Sequence, residues 1–325
     1  MAVTLTDMPL EALHAYRPEL TAPDDLETFW DATLTEARAA AAAPRITPVD
    51  GPFRSLRIED LTFSGFAGDE IRGWIVRPPG DEMLPAVIEY IGYGGGRGLP
   101  GERVTWANAG YVHVIMDTRG QGASWSVGVT PDAHGSAAAF PGVMTRGIRD
   151  PHDYYYRRLI TDAVRLVDVV RSLPGVDPDR IAVTGVSQGG GLSIAAAALA
   201  GDAVAAVLPD VPFLCDFPNA ILRTPLPPFT EITRYLSVHR DDAETALRTV
   251  SYVDGAILAR RITAPAYFSV GLMDDIVLPS GVFAAYHAVA SEDSAIEVYP
   301  YNGHEGGGYR HFLKQVAWLD ARVGR

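Results

Sequence analysis

The sequence predicts one α/β domain over residues 1–325, with a mostly parallel sheet that carries helices on both faces. Short apolar runs end at Gly, Asp or Pro and alternate with segments of helical periodicity. Residues 216–261 break this alternation, because they contain several prolines and helix-like segments but no clear apolar strand. We interpret them as a cap-like helical insertion over the carboxyl edge of the sheet. The apolar runs comprise residues 86–88, 112–116, 181–183, 205–208, 266–270 and 296–299.

The remaining elements follow from local patterns. Asp24 and Asp25 precede an amphipathic stretch and predict a capped helix that continues through an alanine run and stops at Pro44. Residues 61–76 alternate around a Gly-rich centre and predict an antiparallel hairpin. Residues 155–172 carry an apolar stripe at helical spacing and predict a helix against the sheet.

Composition and charge exclude several partners. The chain has 27 Lys and Arg against 40 Asp and Glu, for a net charge of −13, which repels nucleic acid and anionic lipid surfaces. A single cysteine, Cys215, cannot form an internal disulfide, and the first 20 residues show no signal-peptide pattern. We therefore expect a cytoplasmic protein with neither nucleic acid nor membrane as a partner. The sequence gives no indication of a cofactor or metal.

The stretch Gly185-Val186-Ser187-Gln188-Gly189 fits the pattern G-x-S-x-G, between an apolar run and a helical segment. In that setting the pattern predicts a sharp strand-to-helix turn that exposes the Ser187 hydroxyl at the carboxyl edge of the sheet. An ordinary Gly-rich turn is the alternative. A serine hydroxyl needs a base to act as a nucleophile, and the base needs an acid to orient it.

His304 is the candidate base. In hydrolases with this turn the triad follows the chain order Ser, Asp or Glu, His, so the base must follow Ser187. His304 lies in a Gly-rich loop after the last predicted strand, where it can reach the edge of the sheet, or it is a surface histidine. His287 falls within a predicted helix, and His311 follows in a terminal helix. The histidines after Ser187 are His239, His287, His304 and His311.

Asp274 is the favoured acid. It follows the apolar run 266–270, which is the run nearest in sequence to that before His304. Asp210 ends another strand and could also reach a histidine, or it could brace the neighbouring turn. Asp275 could serve only to cap a helix.

Two backbone amides are candidates to bind an oxyanion. The Gln188 amide follows the nucleophile, and the Tyr93 amide lies in a Gly-rich loop after an early strand. This loop lacks the Gly-Lys-Ser/Thr ending of a phosphate-binding loop. A flexible surface turn is the alternative interpretation.

These motifs together resemble the acetyl xylan esterase and cephalosporin C deacetylase family, carbohydrate esterase family 7 of the α/β-hydrolase superfamily. The resemblance covers nearly the whole chain. It implies a catalytic triad of Ser187, Asp274 and His304, oxyanion amides at Tyr93 and Gln188, and a structural signature near the active site. The segments that carry it are Gly92-Tyr93 with the glycines after them, Asp117-Thr118-Arg119-Gly120-Gln121-Gly122, Gly147–Asp150 with Tyr154–Arg158, Gly185–Gly191, Asp210–Cys215, Gly271–Asp274 and His304-Glu305; the signature comprises Arg119, Gly120, Gln121 and Gly122.

The family also implies substrates and an assembly. Its members remove acetyl groups from small acetylated sugars, short xylo-oligosaccharides and cephalosporin C, usually as homohexamers with inward-facing sites. Three positions depart from the family pattern. Gly94 stands where asparagine is common, and Val277-Leu278 replace the usual Cys-Pro. These departures lie near the expected pocket and bear on acyl size and on the preferred alcohol.

Three other functions fit parts of this pattern. A serine peptidase of the prolyl oligopeptidase type shares the triad order, although no propeller-like repeat precedes the motif. A lipase would need a broad apolar acyl groove. A non-catalytic binding module is disfavoured because every triad position is occupied.

Overall fold

The computed structural model describes residues 6–135 and 137–324. Within these residues the helices are α1 (Leu10–Ala15), α2 (Leu26–Ala39), α3 (Thr105–Asn108), α4 (Tyr155–Val170), α5 (Gln188–Ala200), α6 (Phe217–Arg223), α7 (Phe229–Val238), α8 (Ala243–Ser251), α9 (Gly255–Leu258), α10 (Pro279–Ala288) and α11 (Gly308–Val323). The strands are β1 (Arg45–Pro48), β2 (Arg57–Ser64), β3 (Glu70–Arg77), β4 (Leu84–Tyr90), β5 (Val112–Met116), β6 (Val176–Val186), β7 (Ala206–Asp210), β8 (Ala266–Gly271) and β9 (Ser294–Tyr299). Short 3₁₀ turns span Phe66–Gly68, Gly201–Ala203, Arg240–Asp242 and Ala259–Arg261.

The strands of the described residues form one nine-stranded sheet in the order β1-β2-β3-β5-β4-β6-β7-β8-β9. β1, β2 and β3 pair antiparallel, as does β3 with β5. From β5 to β9 every pairing is parallel, so the carboxyl ends of these strands meet at one edge. This arrangement confirms the predicted α/β class and its mostly parallel sheet, and it is that of an α/β hydrolase.

Both faces of the sheet are covered, as the side chains of the central strand β6 show. Ile181 and Val183 join the large core cluster that includes α4 and α5, whereas Ala182, which lies between them, joins a second cluster with Leu319 and Val323 of α11. Successive side chains of a strand point to opposite faces, so an apolar run without alternation indicates burial on both sides. β6 therefore lies in the middle of a layered core.

Most predicted elements are present with small shifts. The predicted hairpin is β2 and β3, paired from Arg57 opposite Arg77 to Ser64 opposite Glu70. α2 ends at Ala39, before the alanine run is complete. The prediction that Asp25 caps α2 was wrong, because its carboxylate instead accepts a hydrogen bond from the Tyr252 hydroxyl at 2.5 Å.

Residues 216–261 lie between β7 and β8 and contain the helices α6 to α9 and two 3₁₀ turns. Pro227 and Pro228 of this segment line the cavity that also contains Ser187. The helical insertion thus reaches the carboxyl edge of the parallel strands. Over residues 6–135 and 137–324, no helix combines the length and the apolar character needed to cross a bilayer.

Candidate active site

Ser187 lies in the sharp turn between β6 and α5. Its backbone has φ 59° and ψ −117°, a conformation that a residue with a side chain rarely adopts. A Cβ at Gly185 or Gly189 would overlap the carbonyl oxygen of Tyr90, so only glycine fits on either side of the turn. The Ser187 N–H donates to the Asp210 carbonyl at 2.9 Å, and this bond fixes the turn against β7. The predicted strand-turn-helix context is therefore present.

His304 and Asp274 are hydrogen-bonded, with 2.8 Å between His304 Nδ1 and Asp274 Oδ2. Asp274 is fully buried, and its other oxygen, Oδ1, accepts the N–H groups of Ile276 and Val277, each at 2.9 Å. The loops that carry the two side chains are joined by a bond from Met273 N–H to the Asn302 carbonyl at 3.0 Å. The carboxylate is thus held rigidly, and its remaining oxygen orients the imidazole.

Ser187 and His304 line the same cavity, which has a volume of about 580 Å³. Ser187 is 7% exposed, and the His304 side chain is 27% exposed. Among the described residues no hydrogen bond joins the Ser187 hydroxyl to the imidazole. In ligand-free sites this bond is often long and shortens when substrate binds. The cavity walls are formed by Glu89, Tyr90, Ile91, Gly92, Tyr93, Arg103, Trp125, Val186, Ser187, Pro227, Pro228, Ile276 and His304.

Tyr93 and Gln188 lie beside the turn that carries Ser187. Gln188 is the first residue of α5, so its N–H is one of the helix-terminal donors without an intrahelical acceptor. Within the described residues the Tyr93 N–H makes no hydrogen bond either. The Gln188 side chain donates to the Ile91 carbonyl at 3.1 Å and so ties the turn to the loop that contains Tyr93.

Arg119 is fully buried and anchors the segment Arg119–Gly122. Its guanidinium binds both carboxylate oxygens of Asp162, at 2.5 and 2.7 Å, and also contacts Asp69 and Asp132. Burial lowers the pKa of this guanidinium, but the charge of Asp162 outweighs it and the net pKa is raised, so Arg119 stays charged. The carbonyl of Arg119 accepts the Tyr155 hydroxyl at 2.6 Å. Arg119 therefore fixes the start of this segment against α4.

Gln121 connects that segment to both halves of the candidate oxyanion site. Its Oε1 accepts the Gly94 N–H at 2.6 Å, next to Tyr93, and its Nε2 donates to the side-chain oxygen of Gln188 at 2.9 Å. Gly120 has φ 64° and Gly122 has φ 99°, so both lie in the left-handed region that favours glycine. The segment Arg119–Gly122 thus positions the two loops without lining the cavity itself.

Glu231 is a residue of this site that the sequence pattern did not reveal. It is buried on α7 of the insertion and accepts the Tyr93 hydroxyl at 2.6 Å. Its second oxygen accepts the Met144 N–H at 3.1 Å, while Val143 N–H donates to the Tyr93 hydroxyl at 2.8 Å. Burial raises the pKa of the Glu231 carboxyl, and the hydrogen bond from Tyr93 offsets part of that increase. The two partners are 138 residues apart in the chain, so the sequence carries no signal that pairs them.

The other histidines and aspartates considered from sequence have different partners. Asp210 accepts hydrogen bonds from Ser269 and Gln315, each at 2.9 Å, so it braces the sheet edge. His287 Nδ1 lies 2.8 Å from the Tyr16 carbonyl. His311 of α11 is buried, with its Nδ1 3.1 Å from the Tyr299 hydroxyl and its Nε2 3.2 Å from Asp210 Oδ1. Asp210 thus reaches a histidine, as its position allowed, but this histidine is not His304. Among residues 6–135 and 137–324, no group of three or more His, Cys, Asp or Glu could hold a metal ion.

The three positions that depart from the family pattern follow residues that line the cavity: Gly94 comes after Tyr93, and Val277-Leu278 come after Ile276. Gly94 has φ 79°, and a Cβ there would lie 2.7 Å from the Ser124 hydroxyl, so Ser124 fills the space of a side chain. Val277 and Leu278 are both buried beside Asp274. Their neighbour Ile276, rather than either of them, lines the cavity.

The sheet topology and the strained strand-to-helix turn at Ser187 place the protein among the α/β hydrolases. The profile of the acetyl xylan esterase (AXE1) family matches residues 3–322. The chain belongs to the acetyl xylan esterase family and is a carboxylic ester hydrolase.

Solved and curated relatives agree with this assignment. An acetyl xylan esterase from Paenibacillus sp. R4 is 37% identical, with a TM-score of 0.91, and the match covers 97% of this chain and 100% of that one. Acetyl xylan esterase 1 from Thermoanaerobacterium sp. JW/SL YS485 is 33% identical, with a TM-score of 0.85 and coverage of 96% and 99%. Acetyl esterase Axe7A of Xylanibacter ruminicola is 24% identical over 311 residues, which are 94% of this chain and 69% of that protein.

Proposed function

We propose that the protein is a serine esterase that removes acetyl groups from small acetylated carbohydrates. One observation carries the proposal: the strained Ser187 turn lies at the same cavity as His304, which is hydrogen-bonded to the buried Asp274. The names of the related acetyl xylan esterases support an acetylated sugar as the substrate. The division of labour would be Ser187 as nucleophile, His304 as base and Asp274 as the acid that orients it.

In the first half of the reaction, His304 takes the proton of Ser187 while Oγ attacks the acetyl carbon. The amides of Tyr93 and Gln188 donate to the resulting oxyanion. When the tetrahedral intermediate collapses, the bond to the sugar oxygen breaks and His304 gives the proton to that oxygen. The products are the free sugar hydroxyl and an acetylated Ser187.

In the second half, His304 takes a proton from water while the water oxygen attacks the acetyl carbon of the acyl-enzyme. The same two amides stabilise the second oxyanion. Collapse breaks the bond to Ser187 Oγ, His304 returns the proton to that oxygen, and acetate leaves. Asp274 stays ionised throughout and stabilises the imidazolium that forms in each half.

Kinetics on a matched ester series test this function. We expect kcat/KM for p-nitrophenyl acetate to exceed that for the octanoate by at least about 100-fold, since the related solved structures are acetyl xylan esterases. Acetylated xylose should also be deacetylated, with the released acetate measured directly. Equal or faster turnover of the octanoate would favour a lipase-like esterase, and cleavage of peptide anilides in place of acetates would favour a peptidase.

Glu231 provides a second prediction, for the oxyanion amides. Glu231→Gln should lower kcat for p-nitrophenyl acetate by about 10- to 100-fold with little change in KM. The glutamine amide has one acceptor oxygen for two donors, the Met144 N–H and the Tyr93 hydroxyl. The Met144 N–H can only donate and keeps that oxygen, so the Tyr93 hydroxyl faces the NH₂ group and loses its acceptor. Tyr93→Phe removes the same hydrogen bond from the other side. The double variant should therefore have a kcat no lower than that of the more impaired single variant. This positioning role would be contradicted if the decreases in kcat of the two single variants added up in the double variant. It would also be contradicted if the variants raised KM and left kcat unchanged.

The proposal includes three further features: a cap, a second substrate and an assembly. Segment 216–261 is proposed to cap the site, since Pro227 and Pro228 line the cavity and Glu231 holds Tyr93. Deacetylation of cephalosporin C and assembly as a homohexamer stay predictions.

A further inference from the structure

An aromatic and charged wall adjoins the candidate nucleophile and takes no part in the mechanism above. It consists of Trp125, Arg103 and Glu89, which all line the cavity. The sheet order puts β4, which carries Glu89, on one side of β6, whereas β7, β8 and the loop with Ile276 lie on the other side. The wall therefore lies on the opposite side of Ser187 from the Asp274 loop.

Trp125 is unusual among the large side chains of the protein because it is 56% exposed and yet held in place. Its indole N–H donates to the Tyr93 carbonyl at 2.8 Å. The ring packs so closely on the Gly-rich loop that a Cβ at Gly95 would overlap it. A fixed aromatic ring with an open surface beside a cavity is a common feature of ligand-binding sites.

Arg103 and Glu89 supply polar groups next to this ring. The Arg103 guanidinium lies 5.6 Å from the Trp125 ring centroid, and its Nη1 donates to Glu89 Oε1 at 2.6 Å. Glu89 Oε2 lies 2.8 Å from Nε2 of the fully buried His113. Burial would raise the pKa of Glu89, but the hydrogen bond from His113 and the charge of Arg103 outweigh it and hold that pKa below its usual range. Glu89 is therefore an ionised acceptor that orients Arg103.

The charges of this wall favour a neutral polar ligand. The positive charge of Arg103 is balanced by Glu89, so the pair presents fixed donors and an acceptor without a large net field. A pyranose ring offers a match, because its C–H face is apolar and its rim carries hydroxyls that both donate and accept. The cavity volume of about 580 Å³ is also far larger than an acetyl group requires, and it falls in the range that holds a whole small ligand.

We propose that Trp125, Arg103 and Glu89 form the subsite for the sugar part of the substrate, with the sugar ring stacked on the indole and its hydroxyls bonded to the Arg103–Glu89 pair. This inference rests on the proposed function. It assigns the alcohol side of the ester to the β4 side of Ser187 and predicts that the enzyme distinguishes sugar acetates from alkyl acetates.

The test compares an acetylated methyl xyloside with ethyl acetate on the wild-type protein and three variants. Trp125→Ala should lower kcat/KM for the xyloside acetate about tenfold or more beyond its effect on ethyl acetate, with the extra loss mainly in KM. Both esters share the loss of the indole bond to the Tyr93 carbonyl, so the ratio of the two kcat/KM values isolates the sugar contact. Trp125→Phe keeps a ring but loses the bond to Tyr93, so it should retain most of the sugar preference. Tyr309→Ala is the control: it removes an exposed aromatic ring that does not line the cavity, and it should leave kcat/KM unchanged for both esters.

Two outcomes would overturn the subsite, and they are distinguishable. In the first, the wild-type protein hydrolyses both esters and Trp125→Ala lowers kcat/KM for both by the same factor. The ring would then only hold the Tyr93 loop, so the subsite would be wrong while the esterase function would stand. If the wild-type protein hydrolyses neither ester, the proposed function fails and the subsite with it. Thermal unfolding of each variant shows whether a loss reflects folding instead.

Discussion

Replacement of Ser187 by alanine should abolish esterase activity while the fold stays intact. We expect kcat/KM for p-nitrophenyl acetate to fall by roughly 10⁵- to 10⁶-fold, because Ser187 is the one serine, threonine or cysteine among the described residues that line the cavity. The midpoint of thermal unfolding should stay within about 2 °C, since the change removes one hydroxyl and keeps the Cβ in its strained backbone position.

The matched control for this variant is Ser193→Ala. Ser193 is buried on α5, the helix that begins directly after Ser187, and its hydroxyl donates to the Gly189 carbonyl at 2.8 Å. This variant loses a buried hydroxyl of the same kind but no proposed catalytic group, so it should keep most of its activity. Substantial turnover by Ser187→Ala, or equal losses in the two variants, would exclude Ser187 as the nucleophile.

Replacement of Asp274 by asparagine should lower kcat by about 10³- to 10⁴-fold. The oxygen at the Oδ1 position accepts two backbone N–H groups, from Ile276 and Val277, so the asparagine amide must place its own oxygen there. Its NH₂ group then faces His304 Nδ1 and donates to it. The imidazole must consequently carry its proton on Nε2, where it can no longer accept the proton of Ser187.

Asp275→Asn is the control for this effect. Asp275 is the next residue, is exposed, and undergoes the same chemical change. We expect near wild-type kcat for this variant. A severe loss in Asp275→Asn together with a mild one in Asp274→Asn would move the acid to the neighbouring residue, and a mild loss in both would remove the carboxylate from the mechanism. The measurement is steady-state kcat and KM for both variants with p-nitrophenyl acetate.

The parts of this molecule that depend on local sequence could be predicted. The Ser187 turn is specified by glycines within two residues of it. β8, which leads to Asp274, is buried along its whole length and reads as a nearly continuous apolar run, whereas the edge strand β9, which leads to His304, is only partly buried. Chain order then singled out a histidine after the serine. The structure brings that histidine to 2.8 Å from Asp274, as expected from two adjacent strands, β8 and β9.

Features that depend on distant contacts could not be predicted. Glu231 and Tyr93 are separated by 138 residues, and nothing in a helix of the insertion reveals a partner in a loop after β4. The edge strand β1 has only four residues, which are mostly exposed, so it lacks an apolar pattern. Asp25 precedes a helix as a capping residue does, but Tyr252, more than 200 positions away, takes its carboxylate instead.

The proposed mechanism requires that Ser187 forms a covalent bond to the substrate and that the oxyanion of this adduct lies within hydrogen-bond distance of the Tyr93 and Gln188 amides. A crystal structure of the wild-type protein after reaction with an alkyl fluorophosphonate tests this directly. We expect phosphorus bonded to Ser187 Oγ, a phosphonyl oxygen within about 3 Å of both amide nitrogens, and His304 Nε2 turned towards the bound group. An unmodified Ser187, or an adduct whose oxygen lies away from both amides, would contradict the proposed mechanism.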